Sequence, residues 1–466
     1  MPQSPARARR LAAPVVAAVL LAASLTTGVG PAQAGPTSTG TGDSLFPDVG
    51  TSAYDVKHYD IDLAYAADGS IRARTTIRAR AGHRLSSFDL DLVGLTVDRV
   101  RVDGRPAEAS RAGEKLTVTP AHPVKGSFRT VVDYHGTPQT YTDPDGSSEG
   151  WVPTSDGATV LAEPIGAMTW FPDNNTPRDK ATFDIALTVP RGLEAASNGV
   201  LESRRHRAGT TTWSWSQDRP MAPYLAMISI GQYQVFTSSM ELKSGRRLPI
   251  VSFVDPSFGP LAHQRRLLRD AIRYGERIYG RYPGSSAGIV VEDVGVGYAL
   301  ETQDRAVYDG APDDLTVVHE TAHQWVGNSV GLTDWGDIWL NEGFATHAEW
   351  SWTAATGGPT LGESFAEAYA SHPADDPFWD LPPADLGDPA NLFAEPTYAR
   401  GAMTLDALRQ RIGGRDFAEL RRTWTTRHRG GNVTTRDLVR LAERISGEDL
   451  DAFFQAWLHT PERPAL

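Results

Sequence analysis

From Asp55 to about Met240 the chain alternates apolar and polar residues with a period of two. Tyr59, Ile61, Leu63 and Tyr65 alternate with Asp60, Asp62 and Ala64. Ile71, Ala73, Thr75, Ile77 and Ala79 alternate with Arg72, Arg74, Arg78 and Arg80. That period predicts strands with one buried face, and the arginine row reads as the solvated side of a sheet. Asp68-Gly69 and Asp103-Gly104 are hairpin-turn dipeptides. Leu116–Thr119, Phe183–Val189 and Thr212–Trp215 read as further strands.

The pattern changes near Gly245. Pro249–Val254 predicts a strand that leads into a helix over 261–282, where Leu267, Ala271, Tyr274 and Ile278 recur at helical spacing. Gly288–Val294 predicts another strand, and the rest is mainly helical. Pro377, Pro382, Pro383, Pro389 and Pro396 break the stretch 373–396, which predicts a long surface loop near the functional site. No repeat of fixed period appears. The expected organisation is α+β and multidomain: an N-terminal antiparallel β domain over 45–245 and an α+β domain over 246–466.

The first residues carry a different signal. Arg7, Arg9 and Arg10 precede a short apolar run, Leu11–Leu25, and Ala32-Gln33-Ala34 fits a signal-cleavage site. Pro14, Thr26 and Gly28 break the run, which is short for a membrane span. The expectation is a cleaved signal peptide over 1–34, a flexible leader over 35–44, and a secreted protein with no stable membrane span. Arg9-Arg10 hints at twin-arginine export, but the fuller motif is missing.

Composition narrows the chemistry. The 466 residues are 40% hydrophobic, with 12 Trp, 14 Tyr and 15 Phe, enough to fill sizeable cores and exclude a mostly disordered chain. Asp plus Glu number 57 against 45 Lys plus Arg, a formal charge of −12. Loss of a leader with three arginines and no acid takes it to −15. An acidic chain is poorly suited to a nucleic-acid partner. There is no cysteine, so disulfides, thiolate ligands and thiol nucleophiles are excluded together. Any metal must sit on His, Asp or Glu.

His319-Glu320-Thr321-Ala322-His323 follows the apolar Leu315, Val317 and Val318, just after Pro312-Asp313-Asp314, which reads as a helix N-cap. Residues four apart share a helix face, so both imidazoles can reach one ion, with Glu320 beside them as a base. Eighteen residues separate His323 from Glu342 in Asn341-Glu342-Gly343-Phe344-Ala345. That gap allows an antiparallel helix to bring Glu342 to face the histidines. Two imidazoles and one carboxylate suit Zn2+ and leave a coordination position open. His347 is a rival ligand, ranked below Glu342 and expected on the surface or just outside the ligands.

HETAH, that gap and WLNEGFA resemble the aminopeptidase N family of zinc metallopeptidases, among the gluzincins. Trp170-Phe171-Pro172, Asp179-Lys180-Ala181-Thr182-Phe183, Pro220–Ala226 and Tyr398-Ala399-Arg400-Gly401-Ala402 are also similar to that family. The resemblance implies a thermolysin-like catalytic domain, one zinc on His319, His323 and Glu342, Glu320 as general base, and Tyr398 as donor to the oxyanion. It implies hydrolysis of the first bond of peptides with a free N-terminus. The family's Gly-Ala-Met-Glu-Asn loop corresponds to Gly297-Tyr298-Ala299-Leu300-Glu301-Thr302, where Tyr298 enters and Thr302 replaces the asparagine. Gly295 and Gly297 suit close approach of a peptide backbone along a strand edge. Gly297, Tyr298 and Ala299 are therefore expected to bind substrate, with Glu301 on its ammonium. Glu163, in Leu161-Ala162-Glu163-Pro164, resembles a second ammonium anchor. Larger members carry a C-terminal helical cap; with the chain ending at Leu466 the resemblance predicts a more open site. The alternatives are a zinc endopeptidase or another hydrolase on the same site, and a secreted binding protein without turnover.

Overall fold

The computed structural model describes residues 40–466; the expected signal peptide and residues 35–39 of the leader lie outside the described residues. Asp43 is buried, and its carboxylate accepts from the backbone N–H of Leu45, Phe46 and Trp335 at 2.9–3.0 Å. The expected flexible leader is thus fixed from Thr41 onward, because a buried carboxylate collects the donors it needs.

The period-two segments form a ten-stranded sheet in the order 200–207, 210–221, 181–190, 54–65, 71–85, 124–136, 96–102, 105–112, 115–120, 88–91. Arg72, Arg74, Arg78 and Arg80 are exposed along Ile71–Leu85, as alternation predicts. The inner face holds Tyr59, stacked on Phe183 at 4.8 Å and edge-on to Phe171 at 5.4 Å. One pairing departs from the antiparallel expectation: Tyr54–Tyr65 runs parallel to Ala181–Pro190, with Tyr59 opposite Phe183. A five-stranded sheet, ordered 194–197, 228–231, 158–161, 148–153, 140–142, carries Glu163 just beyond the end of Ala158–Leu161.

A second five-stranded sheet runs 234–241, 247–254, 288–292, 305–309, 299–300. Gln234–Glu241 pairs along its whole length with Arg247–Val254, so hydrogen bonding is continuous across residue 245. Trp213 and Trp215 of the large sheet each lie 5.9 Å from Phe253 of this one. The strand Ala299–Leu300 is its outer edge.

The remaining groups are positioned by the longer helices α1 (Ala262–Ile278), α2 (Asp314–His323), α3 (Trp339–Ala355), α4 (Leu361–Ser371), α5 (Glu395–Ile412), α6 (Gly414–Arg427) and α7 (Thr435–Ser446). The expected helix over 261–282 ends at Ile278. Gly275 on α1 lets Trp325 lie against the backbone, since a Cβ there would meet the indole at 2.4 Å. α3 and α5 cross at Gly343 and Gly401, where a Cβ on Gly343 would meet the Gly401 carbonyl carbon at 2.8 Å. The stretch 373–396 is less of a surface loop than its prolines predict. Phe378, Trp379, Leu386 and Leu392 are buried in it. The buried Arg400 guanidinium donates to the carbonyls of Trp379, Trp457 and Thr460 and fixes both segments to α5.

Lys180 ties the N-terminal half to the helical half. Its Nζ donates to the carbonyls of Asn328, Ser329 and Gly431 at 2.9–3.1 Å. Three acceptors match the three protons of an ammonium. Burial works the other way and lowers its pKa to about 7; the full set of acceptors favours the charged form. Among the described residues no helix is long and apolar enough to cross a membrane.

Candidate active site

The metal-ligand pattern folds as its spacing predicts. Asp313 caps α2 by accepting from the Thr316 backbone N–H at 2.8 Å, so the helix begins one turn before His319. The His319 and His323 rings stand 4.7 Å apart on one face. Glu342, in the first turn of α3, brings Oε2 to 3.2 Å from His319 Nε2 and 3.5 Å from His323 Nε2. The three ligand atoms lie within 4.8 Å of one another.

The other ring nitrogens are fixed as well. His319 Nδ1 donates to Glu349 Oε1 at 2.6 Å, and His323 Nδ1 donates to the Val326 carbonyl at 3.2 Å. With both Nδ1 positions as donors, both Nε2 atoms converge on Glu342, and once deprotonated they aim their lone pairs at one point, the orientation a metal site requires. Burial by itself depresses His323, but the charges of Glu342 and Glu301 outweigh it and hold the imidazole at about 9. The same imidazoles, working against burial, hold Glu342 at about 2. A divalent cation would compete with the imidazole protons for this arrangement. Oε1 of Glu163, Oε1 of Glu301 and Oε2 of Glu320 are enclosed and have no hydrogen-bond partner. Buried carboxyl oxygens left so call for a proton or a cation, and the donor set of two imidazoles and a carboxylate fits zinc.

Around the triad lies a cavity of about 470 Å³. Its lining includes Glu163, Tyr298, Ala299, Glu301, Glu320 and Tyr398. Glu163 and Glu301, from the two five-stranded sheets, converge there on Glu342. Burial raises both carboxyls, and the nearby Glu342 charge raises both further. Glu320 is raised by burial to about 7, opposed by His319 and His323. The Tyr398 ring lies 6.2 Å from His319. Burial and the surrounding glutamates raise its phenol well above its ordinary value, so it stays a donor.

Gly297 is not among the cavity-lining residues. It adopts φ 85°, and its N–H donates to Asp309 Oδ2 at 2.6 Å. Val294 and Gly295 donate to Asp309 Oδ1 at 2.9 Å, so the glycine turn wraps a carboxylate. Tyr298 lines the cavity and donates from its hydroxyl to the Ser148 carbonyl at 2.8 Å. Thr302 is buried and donates to the Arg305 carbonyl, away from the site. His347 is fully buried, 3.5 Å from Asp406 and against Phe417, which corrects its expected surface position and removes it from the ligands.

Sequence reasoning missed Glu349, which orients His319. Its signal was its place seven residues, two helical turns, after Glu342 on the same face. It also missed Phe393, from the proline-broken stretch, and Asp145 at the cavity wall.

The model of the peptidase M1 N-terminal domain matches residues 55–225, and that of the peptidase family M1 domain matches residues 301–457. The chain belongs to peptidase family M1. Within that family it is 28% identical to aminopeptidase N of Streptomyces lividans over 86% of this chain and 49% of that protein. It is 26% identical to tricorn protease-interacting factor F2 of Thermoplasma acidophilum over 81% of this chain and 50% of that one. The chain therefore spans about half the length of these relatives. The M1 zinc metallopeptidase of Deinococcus radiodurans superposes with a TM-score of 0.83 at 27% identity, over 91% of this chain and 99% of that one. The N-terminal β sheet followed by an α+β catalytic half is thus the two-domain M1 architecture.

Proposed function

We propose that the protein is an exported zinc aminopeptidase that removes the first residue from peptides with a free amino end, with Glu320 as general base. The observation that carries this reading is the meeting of Glu163 and Glu301 beside the His319–His323–Glu342 triad. Two buried carboxylates with unpartnered oxygens form a receptor for one ammonium. An ammonium held there leaves room for a single residue before the scissile carbonyl, which makes the site an exopeptidase.

Zinc held by His319, His323 and Glu342 supplies, when bound, Lewis-acid polarisation of the carbonyl and a water pKa near 7. Glu320 takes the proton of the attacking water and delivers it to the leaving amine. Tyr398 donates its hydroxyl proton in a hydrogen bond to the carbonyl oxygen as negative charge grows there. The edge strand Ala299–Leu300 offers backbone groups to an extended peptide. Glu163 and Glu301 set its register.

Peptides bearing a free N-terminus and their N-acetylated counterparts test this reading. The free forms should be cleaved at the first bond and the acetylated forms left intact. Equal cleavage of both would remove the ammonium anchor and favour an endopeptidase. Export is supported by the basic start, apolar run and Ala-Gln-Ala of residues 1–34; N-terminal sequencing of protein from the culture medium should begin at Gly35.

A further inference from the structure

On the far side of Glu301 from the triad lies a second cavity, of about 410 Å³. Its walls carry Arg219, Arg246, Arg281 and Arg429, and Gln303 and Gln324 also line it. Four guanidinium groups share one concavity in a chain whose formal charge is −12. Among the described residues, no carboxylate lies within ion-pair distance of Arg246, Arg281 or Arg429; Arg219 has only Asp218, at 3.6 Å. Asp218 also accepts from Ser285.

The arginines are placed by backbone contacts. Arg246 Nη2 donates to the Gly284 carbonyl at 2.7 Å, and Arg429 Nη2 donates to the Arg281 carbonyl at 2.8 Å. The Nε of Arg246 is enclosed and has no acceptor. Burial lowers Arg246 and Arg429, and the neighbouring arginines lower both further, as like charges at short range must, with Tyr282 and Asp304 opposing this at Arg246 alone. Gln303 and Gln324 cannot offset this charge. Both amides are neutral, and the Gln324 amide oxygen already accepts from the Asp304 backbone N–H at 2.8 Å.

A concave, mutually repelling arginine set is compensated best by an anion of matching charge. The guanidinium fork pairs with phosphate oxygens through two parallel hydrogen bonds. Four positive charges balance two dianionic phosphates. We propose that this cavity binds a small molecule carrying two or more phosphate groups. The site is separate from the peptide cavity and does not depend on the aminopeptidase reading.

Titration calorimetry of the zinc-loaded full chain with fructose 1,6-bisphosphate, at physiological ionic strength, tests the proposal. Binding should saturate at one site and weaken as salt rises. An Arg281→Gln/Arg429→Gln variant should bind about tenfold more weakly or worse. Arg219→Glu, at an exposed position, should do the same if the double variant does not fold. An Arg72→Gln/Arg78→Gln variant on the outer sheet face should bind as the parent does. Succinate should bind more weakly than the bisphosphate. No saturable heat, equal affinity for succinate, or the same loss in the outer-face variant would each overturn the proposal.

Discussion

Glu349 governs the zinc site without belonging to it. Its hydrogen bond to His319 Nδ1 fixes which nitrogen is free for the metal. Glu349→Gln should retain the fold and weaken zinc affinity by about 10–100-fold, read by competition with a chelator. Tyr398→Phe removes one donor that acts only as charge develops. It should lower kcat by about 10²–10³ with little change in KM. Glu320→Gln should keep full zinc occupancy, measured by metal analysis, and lose turnover. The shared face of His319 and His323 was legible in the sequence because helix geometry converts a spacing of four into one face. Glu349 was not, because one acid on an acidic helix carries no mark until its neighbour is known. The contact of Gly297 with Asp309 was hidden for a related reason: glycine serves both open space and positive φ, and only the fold shows that its N–H turns to that carboxylate.

At the level of elements, the crossing of α3 and α5 sets the distance between Glu342 and Tyr398. Gly343 and Gly401 make that crossing possible by backbone contact. Gly343→Ala would force the helices apart and cost about 1–3 kcal/mol in stability. Tyr398 would shift relative to the ligands, and kcat should fall by about tenfold or more while zinc is retained. Parallel measurement of kcat, zinc content and melting temperature separates displacement from unfolding. The strands and helices were largely readable from their periods. The parallel pairing of Tyr54–Tyr65 with Ala181–Pro190 was not, because nothing local records which of ten strands will meet across more than a hundred residues. The burial of the proline-broken stretch was hidden in the same way, since its partner, Arg400, lies on a different element.

Over the whole molecule, stability should depend on pH through carboxyls far from the zinc site. Asp179 is raised by burial to about 7, although Val56 N–H and the Asn174 amide donate to it. The folded state therefore holds this proton more tightly than the unfolded chain, where Asp titrates near 3.8. Its contribution is full below about pH 4 and is lost as pH rises towards 7. Asp179→Asn removes that titration. The stability difference between parent and variant should move in the variant's favour by a few kcal/mol, roughly 2–4, between pH 4.5 and 7.5. Urea denaturation at the two pH values measures it; an unchanged difference would mean that Asp179 titrates normally.

The two glutamates proposed to anchor the ammonium come from different halves of the chain: Glu163 follows a strand of the N-terminal half, and Glu301 follows the edge strand of the catalytic sheet. The Lys180 ammonium clamps those halves together. The gauge that counts one amino acid is therefore assembled from both. A chimera that kept the catalytic half and borrowed another front half would still take up its metal, yet could lose the ability to tell the end of a peptide from its middle.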